Sequence, residues 1–485
     1  MSEEIRNLEP KNVWENFYQL TQIPRPSGKE QKIIEFMRKF GNDLGLETIV
    51  DETDNVLIKK PATPGMENRK GVVLQAHLDM VPQANSDVQH NFETDPIDAF
   101  VDGEWVTARG TTLGADNGMG IAAAMAVLQS KDLQHGPIEV LLTSDEERGM
   151  TGAFGLKPGF ISGEILMNLD SEDEGELYIG CAGGENANMV FNYTETPFPG
   201  DMTAVKINVS GLKGGHSGMD ISLGRGNSNK ILFRILKHAV KKHGVRLAQV
   251  EGGNLRNAIP REAFAVIGVP NGKTEEVHEC FPKLVEIIKS ELSATEPDLN
   301  ITLEKTDPPA SLIDETTQNN LINAIYACPN GVMRMSDAMP VVETSNNLAV
   351  VKSENGKIEV MCLMRSSVDT AKADLAEMMD SVFALAGANT EFSGSYPGWK
   401  PNMDSPILKT MKDIYTGQFG KEPEIKVVHA GLECGLLGGV YPHMDMISFG
   451  PTIRFPHSPD EKVKTDTVQK FWDFLKETLK NIPTG

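Results

Sequence analysis

The sequence predicts an α/β protein with an α+β domain inserted into it, on three observations. Continuous apolar runs, VVLQAHLD, IEVLLTSDEE and ILMNLD, alternate with helical segments over the first 170 residues. Such runs are the signature of strands buried on both faces of a parallel sheet. After IGCAGGEN (179–186) the strands become alternating and the helices amphipathic, and the first texture returns near residue 397. The length, 485 residues, also exceeds what one core accommodates. Residues 1–186 and 397–485 are therefore read as two parts of one domain, and 187–396 as the insertion.

Residues 1–45 read as helical, with Val13, Phe17 and Leu20 in helical register. The stretch IPRPSGKE interrupts them, because two prolines and a glycine break a helix. A short strand at 55–59 is closed by the turn PATPGMENRKG. The first core strand, a loop rich in Asp and Asn over 83–104, and GTTLGADNGMG then lead into a small-residue helix, GIAAAMAVLQS. Strand and helix alternate up to Asp170, as in an α/β unit. The insertion shows strands at 204–210, 246–251, 263–268 and 299–304, with helices at 227–242 and 274–292. A similar order recurs as helix 315–327, strands 345–352 and 358–365, helix 370–387 and strand 389–394, which suggests two similar halves. The last part adds a helix at 405–417, the strand IKVVHA, the Gly-rich LECGLLGG, the strand MDMISFG and the loop FPHSPDE. An amphipathic helix, VQKFWDFLKETLK, closes the chain.

A net charge of −22 argues against a nucleic-acid partner and against an anionic membrane surface. The longest small-apolar stretch, 120–128, is far too short to span a bilayer. MSEEIRNLEP lacks the basic and apolar regions of a signal peptide, so the expected location is cytoplasmic. Cys181, Cys280, Cys328, Cys362 and Cys434 are scattered without a CxxC pair, which fits a reducing compartment. They suggest neither a disulfide framework nor a thiolate zinc site.

In an open α/β sheet, ligands gather at the C-terminal ends of the strands. All three apolar runs end in metal-ligand chemistry, at His77-Leu78-Asp79, Asp145-Glu146-Glu147 and Asp170. His77 and Asp79, two apart, share one face. A metal-bound imidazole usually gives its other N–H to a carboxylate, a role open to Asp79. Glu146 and Glu147 leave an extended chain in opposite directions, so one can bind metal while the other faces the reacting water as base. Asp170 follows a buried strand and needs a partner. Asp116 lies in a glycine-rich approach to a helix start, where a helix cap is an equal reading, and no Gly-Lys-Ser/Thr marks a phosphate loop. Prolines on either side stiffen the loop of His457. The histidines at 90, 135, 238, 243, 278 and 443 have no ligand-like company along the chain. His77, Asp116, Glu147, Asp170 and His457 thus form a candidate set of two imidazoles and three carboxylates. Two divalent ions about 3.5–4 Å apart would use the set fully by sharing one carboxylate. Without a thiolate the set suits zinc, with manganese or cobalt as substitutes.

With these residues in view, the chain resembles the co-catalytic di-zinc peptidases, the family of aminoacylases, tripeptidases and carnosinases. Within that family it is most similar to the bacterial aminoacyl-histidine (Xaa-His) dipeptidases. AHLDMVP, LGADNGMG, TSDEERGMTGA, NLDSED, GGHSG and PHSPDE occur in the family's order, and the likeness spans essentially the whole chain. The resemblance implies a catalytic domain with a mixed, largely parallel sheet flanked by helices, and an α+β lid. It implies two Zn2+ per chain, with Co2+ or Mn2+ able to substitute. Asp116 would bridge them, His77 and Asp170 would complete one site, and Glu147 and His457 the other. Glu146 matches the general base and Asp79 the carboxylate behind a ligand, and a non-proline cis peptide is implied between Asp116 and Asn117. His216 in GGHSG matches the lid histidine that reaches the substrate carbonyl. Asn257 in LRNAIP and Arg365 in MRSS match residues that hold the substrate's C-terminal part, and a guanidinium grips carboxylates bidentately. HAGLECGLL matches a substrate-lining loop in which His429 and Glu433 receive no role.

The expectation is metal-dependent hydrolysis of dipeptides, including Xaa-His dipeptides, by a water held between two ions with Glu146 as general base. An aminoacylase or deacetylase acting on N-acyl amino acids is the alternative on the same scaffold. A non-catalytic metal- or peptide-binding protein should have lost the base, and Glu146 is present. A nucleotide-binding enzyme would need a lysine that no glycine segment carries. A homodimer stays open, because a doubled lid would supply His216 within one chain without excluding a second subunit.

Overall fold

The apolar runs become neighbouring strands in the computed structural model, which describes residues 3–485. Val72–His77 lies between Ile138–Thr143 and Ile165–Asn168, parallel to both, and Asp445–Ser448 continues the parallel set beside Ile165–Asn168. Every side chain of the first three strands is buried, which is why their sequences do not alternate. Val56–Lys60 and Glu47–Val50 extend the sheet antiparallel on one side. Glu176–Cys181 and Glu424–Val428 complete eight strands on the other, so the sheet is mixed with a parallel centre. Ala115–Gln129 is buried along nearly its whole length, and its run of alanines and glycines leaves little bulk on any face. Lys11–Thr21 and Thr465–Lys480 are amphipathic and bury Trp14, Phe17, Phe471 and Leu475.

A second, four-stranded sheet positions the loop of His457. Ile453–Arg454 pairs with Lys462–Lys464, which pairs with Trp105–Ala108 and through it with Ala99–Asp102. Part of the stretch expected as a loop, 83–104, is therefore strand. Its acidic and polar residues hide a short Ala-Phe-Val core.

Packing divides the chain into one unit of residues up to 180, 399–427 and 432–485, and another of 181–398 and 428–431. These divisions fall a few residues from 186/187 and 396/397. The segment 428–431 goes with the second unit, where His429 Nε2 pairs with Ser345 Oγ at 2.7 Å.

The second unit is built on a wholly antiparallel sheet. Its strands run, in spatial order, Asn300–Lys305, Met202–Ser210, Ala263–Pro270, Arg246–Gly252, Val342–Glu354, Lys357–Ser366, Gly183–Asn192 and Asn389–Tyr396. Apart from short added strands, each half is strand-helix-strand-strand-helix-strand with spatial order 4-1-3-2. The halves meet where Glu251 and Gly252 pair with Lys352 and Val351. Gly183–Asn192 went unread in the sequence because its start, GGENAN, has the composition of a turn.

Candidate functional site

The ends of the parallel strands, the start of Ala115–Gln129 and the loop after Ile453–Arg454 bring five side chains together. Asp116 Oδ1 stands 3.0 Å from His77 Nε2, and Asp116 Oδ2 stands 3.3 Å from His457 Nε2. Asp170 Oδ1 lies 3.4 Å from the same His77 nitrogen, and Glu147 Oε2 lies 3.0 Å from the same His457 nitrogen. Each oxygen of Asp116 thus faces a different imidazole. The donor atoms of His77, Asp116 and Asp170 lie within 4.8 Å of one another, as do those of Asp116, Glu147 and His457. Either trio could hold a metal ion. Glu146 makes a further such group with His77 and Glu147.

Neighbouring groups set these positions. Asp79 Oδ1 lies 3.3 Å from His77 Nδ1, and the Asp79 carboxylate accepts the backbone N–H groups of Glu146 (2.9 Å) and Glu147 (3.2 Å). One buried carboxylate therefore stands against an imidazole and holds the turn that presents both glutamates. Glu461 accepts the N–H groups of Leu113 (2.8 Å), Gly114 (2.9 Å) and Asp116 (3.1 Å). Gly114 has φ +71°, and a Cβ there would meet Arg25 Nη2 at 2.7 Å, so both backbone and space require glycine. Arg25 is buried and donates to the carbonyls of Leu78 (3.0 Å), Asp79 (2.7 Å) and Gly114. The Asp116–Asn117 peptide is cis, and the Asn117 side chain donates to Asp170. Below the cluster, Glu433 accepts from Gln75 Nε2 at 2.6 Å and Thr143 Oγ1 at 2.8 Å.

The electrostatics call for a cation. Burial, with repulsion from neighbouring carboxylates, pushes Asp170 up to about 6, Glu433 and Glu461 to about 7 and Glu172 to about 8. Burial also raises Glu146 well above the carboxylate range, with Asp170, Glu433 and Glu147 adding to it against the opposing charge of His77. Asp116 goes the other way: despite burial, its hydrogen bonds with His457 and His77 hold it far below the usual range. Hydrogen bonds with Asp116 and Glu147 outweigh burial and raise His457 to about 11. The buried Glu147 Oε1 has no hydrogen-bond partner. Nitrogen and oxygen donors at this spacing, an orphaned carboxylate oxygen and excess buried negative charge fit divalent cations.

His216, Asn257 and Arg365 belong to the second unit. His216 Nδ1 accepts the N–H groups of Gly218 (3.2 Å) and Met219 (3.0 Å), so a neutral ring carries its proton on Nε2. Burial and the charge of Arg365 lower its pKa, which favours that neutral form. Asn257 accepts the Ser217 N–H through its backbone carbonyl at 2.8 Å. The buried Arg365 donates from Nε and Nη2 to Ser217 Oγ (3.4 Å) and from Nη1 to the Tyr396 hydroxyl (3.3 Å), long contacts to hydroxyls. A Cβ on Gly218 would strike the His429 carbonyl, which explains the second glycine of GGHSG.

Several site residues escaped the sequence reading. Glu461 lies four residues after His457 inside the quoted PHSPDE and received no role there. Arg25 sits in IPRPSGKE, read as a break between helices. Of the histidines set aside as lacking company, His238 and His243 form a group with Cys280. The spacing of the five cysteines suggests no thiolate zinc site, and Cys280 joins this group only through the fold. Helix packing across residues far apart in sequence creates the group.

Residues 73–481 match the profile of peptidase family M20/M25/M40. The chain is 47% identical over 481 residues, 99% of each protein, to the cytosol non-specific dipeptidase of Escherichia coli (strain K12). It superposes on the crystal structure of aminoacylhistidine dipeptidase from Vibrio alginolyticus with a TM-score of 0.96 and 51% identity, over 100% of this chain and 99% of that one. An aminopeptidase from Bacillus cereus shares the fold, with a TM-score of 0.58 at 15% identity over 98% and 99% of the two chains.

Proposed function

The chain belongs to peptidase family M20/M25/M40, and from that premise we propose that it is a metal-dependent dipeptidase centred on Asp116. The observation that carries the reading is the carboxylate of Asp116, whose two oxygens each face an imidazole 3.0–3.3 Å away. His77, Asp116 and Asp170 would hold one ion, and Asp116, Glu147 and His457 the other. The nitrogen and oxygen donors suit Zn2+, with Co2+ or Mn2+ as substitutes. When bound, two such ions polarise a carbonyl and lower the pKa of a water.

Glu146 takes the proton of the attacking water and delivers it to the leaving amine. Its place is set by Asp79, which anchors the Glu146 and Glu147 backbone. The Nε2–H of His216 is suited to donate to the carbonyl oxygen as it gains charge, a role worth roughly 3–4 kcal/mol per donor elsewhere. Arg365, with Asn257, binds the C-terminal part of the dipeptide, because a buried guanidinium spending its donors on long hydroxyl contacts favours an incoming carboxylate. We extend to this chain the histidine-containing dipeptides and the cytosolic setting that the names of its relatives carry. A homodimer is compatible with this reading.

Glu146→Gln tests the proposal. Metal content should stay at the wild-type value while kcat on Xaa-His dipeptides falls roughly 10²–10⁴-fold. Unchanged hydrolysis in that variant, or faster turnover of N-acyl amino acids than of free-amine dipeptides, would overturn it.

A further inference from the structure

We propose that the second unit carries a separate metal site, formed by His238, His243 and Cys280, that takes a thiophilic divalent cation such as Zn2+. His238 and His243 lie on the helix Ser228–His243, and Cys280 on the neighbouring helix Thr274–Glu291. One donor atom from each residue lies within 4.8 Å of the others. His243 Nε2 is 3.3 Å from Cys280 Sγ, and the rings of His243 and His238 have centroids 5.9 Å apart. Donors around tetrahedral zinc stand ~3.4–3.6 Å apart, given Zn–N near 2.1 Å and Zn–S near 2.3 Å. The His243–Cys280 pair is already close to that spacing.

A second observation comes from the far side of the same ring. His243 Nδ1 is buried without a hydrogen-bond partner and points at Glu276 Oε2, 3.5 Å away. A carboxylate behind a histidine is the arrangement that orients a metal-bound imidazole and fixes its tautomer. Glu276 lies one turn before Cys280, so both project from one face of their helix. The carbonyls ending Ser228–His243 also favour a cation. Opposing charges come from Lys242 near His238 and Lys283 near Cys280, and Lys273 pairs with Glu276 at 2.7 Å. Salt screens such exposed lysines far more than it weakens direct ligation.

All three residues are partly accessible, so an ion can enter. On binding, the Cys280 thiol gives its proton to solvent and the thiolate bonds to the metal. The bridge would tie Thr274–Glu291, which fully buries only Val277 and Ile288, to the helix beside it.

Sulfur makes the site separately visible, since none of the donors around Asp116 is a thiolate. Titrating the metal-free full-length protein with Co2+ should produce a near-ultraviolet thiolate-to-cobalt charge-transfer band whose final amplitude corresponds to one thiolate-bound ion per chain, reached within three equivalents of added metal. Zn2+ should abolish that band. C280S should lack it while hydrolysing dipeptides at the wild-type rate. H238N, at a half-buried position, should retain the fold and weaken Co2+ binding in that band at least tenfold. Absence of the band from the wild-type protein, its persistence in C280S, or unchanged affinity in H238N would each overturn the proposal.

Discussion

Replacing Glu461 by glutamine isolates the positioning of Asp116 from ligation itself. The side chain is 2% exposed and accepts three backbone N–H groups, two at Oε2 and that of Asp116 at Oε1. Glutamine retains one acceptor oxygen. Turned toward Leu113 and Gly114, it sets its amide donor against the N–H of Asp116. That orientation loses one charge-assisted hydrogen bond, roughly 1.5–3 kcal/mol, whereas the flipped one loses two. Neutralising Glu461 also relieves its repulsion with Asp116, so the lower end of that range is expected for global stability. The loss falls on the loop that presents the proposed bridging ligand, and partners of ligands typically contribute 10–100-fold to metal affinity. At about 1.4 kcal/mol per tenfold, 1.5–3 kcal/mol corresponds to that same range. The assay is competition for Zn2+ between the protein and a chelator, with kcat measured at saturating metal. E461Q should bind metal at least tenfold more weakly and recover much of its kcat when saturated. Wild-type affinity in E461Q would refute the reasoning.

His457→Ala removes a donor from one of the two trios around Asp116 and should lower metal content by about one ion per chain relative to the wild type, by elemental analysis after dialysis; unchanged metal content would count against the assignment. His429 offers a pH test away from that centre. Burial, together with the charges of Arg365 and His216, lowers its pKa from 6.5 to about 3. An unfolded chain therefore takes up a proton below pH 6.5 that the folded chain refuses, so stability present above 6.5 is lost as pH falls toward 3. The contribution is about 2 kcal/mol at pH ~5. H429Q should show a shallower loss of stability between pH 7 and 5 in denaturant titrations, and an identical loss would contradict it.

The sequence was most legible where burial is two-sided. The runs ending at His77, Thr143 and Asn168 had no polar face to confuse with a helix, and their ends lie together because parallel strands share a direction. Asp116 and His457 were harder. One reads equally as a helix cap and the other as a loop histidine, and their residue types beside the strand-end donors, rather than periodicity, brought them into the candidate set. The groups that hold the ligands stayed hidden, since Glu461 and Arg25 act on backbone atoms of segments far away in sequence. A hydrogen bond to a backbone N–H or carbonyl leaves no mark on the sequence of its partner. Gly183–Asn192 shows the same limit for strands, its pairing with Lys357–Ser366 overriding a poor local propensity.

The separation of His457 and Glu461 from the other donors has a consequence during synthesis. Four of the five proposed ligands lie between residues 77 and 170, but the fifth is residue 457 of 485. At ~5–20 residues per second the ribosome takes about 15–60 s to travel from Asp170 to His457. Throughout that interval a nascent chain can hold at most one of the two ions, and Asp116 lacks the carboxylate that pins its loop. With the proposed ligands, the growing polypeptide would be a silent hydrolase, armed only when the last strands and the closing helix emerge. Premature termination anywhere before that point would release an inert fragment rather than an unregulated peptidase.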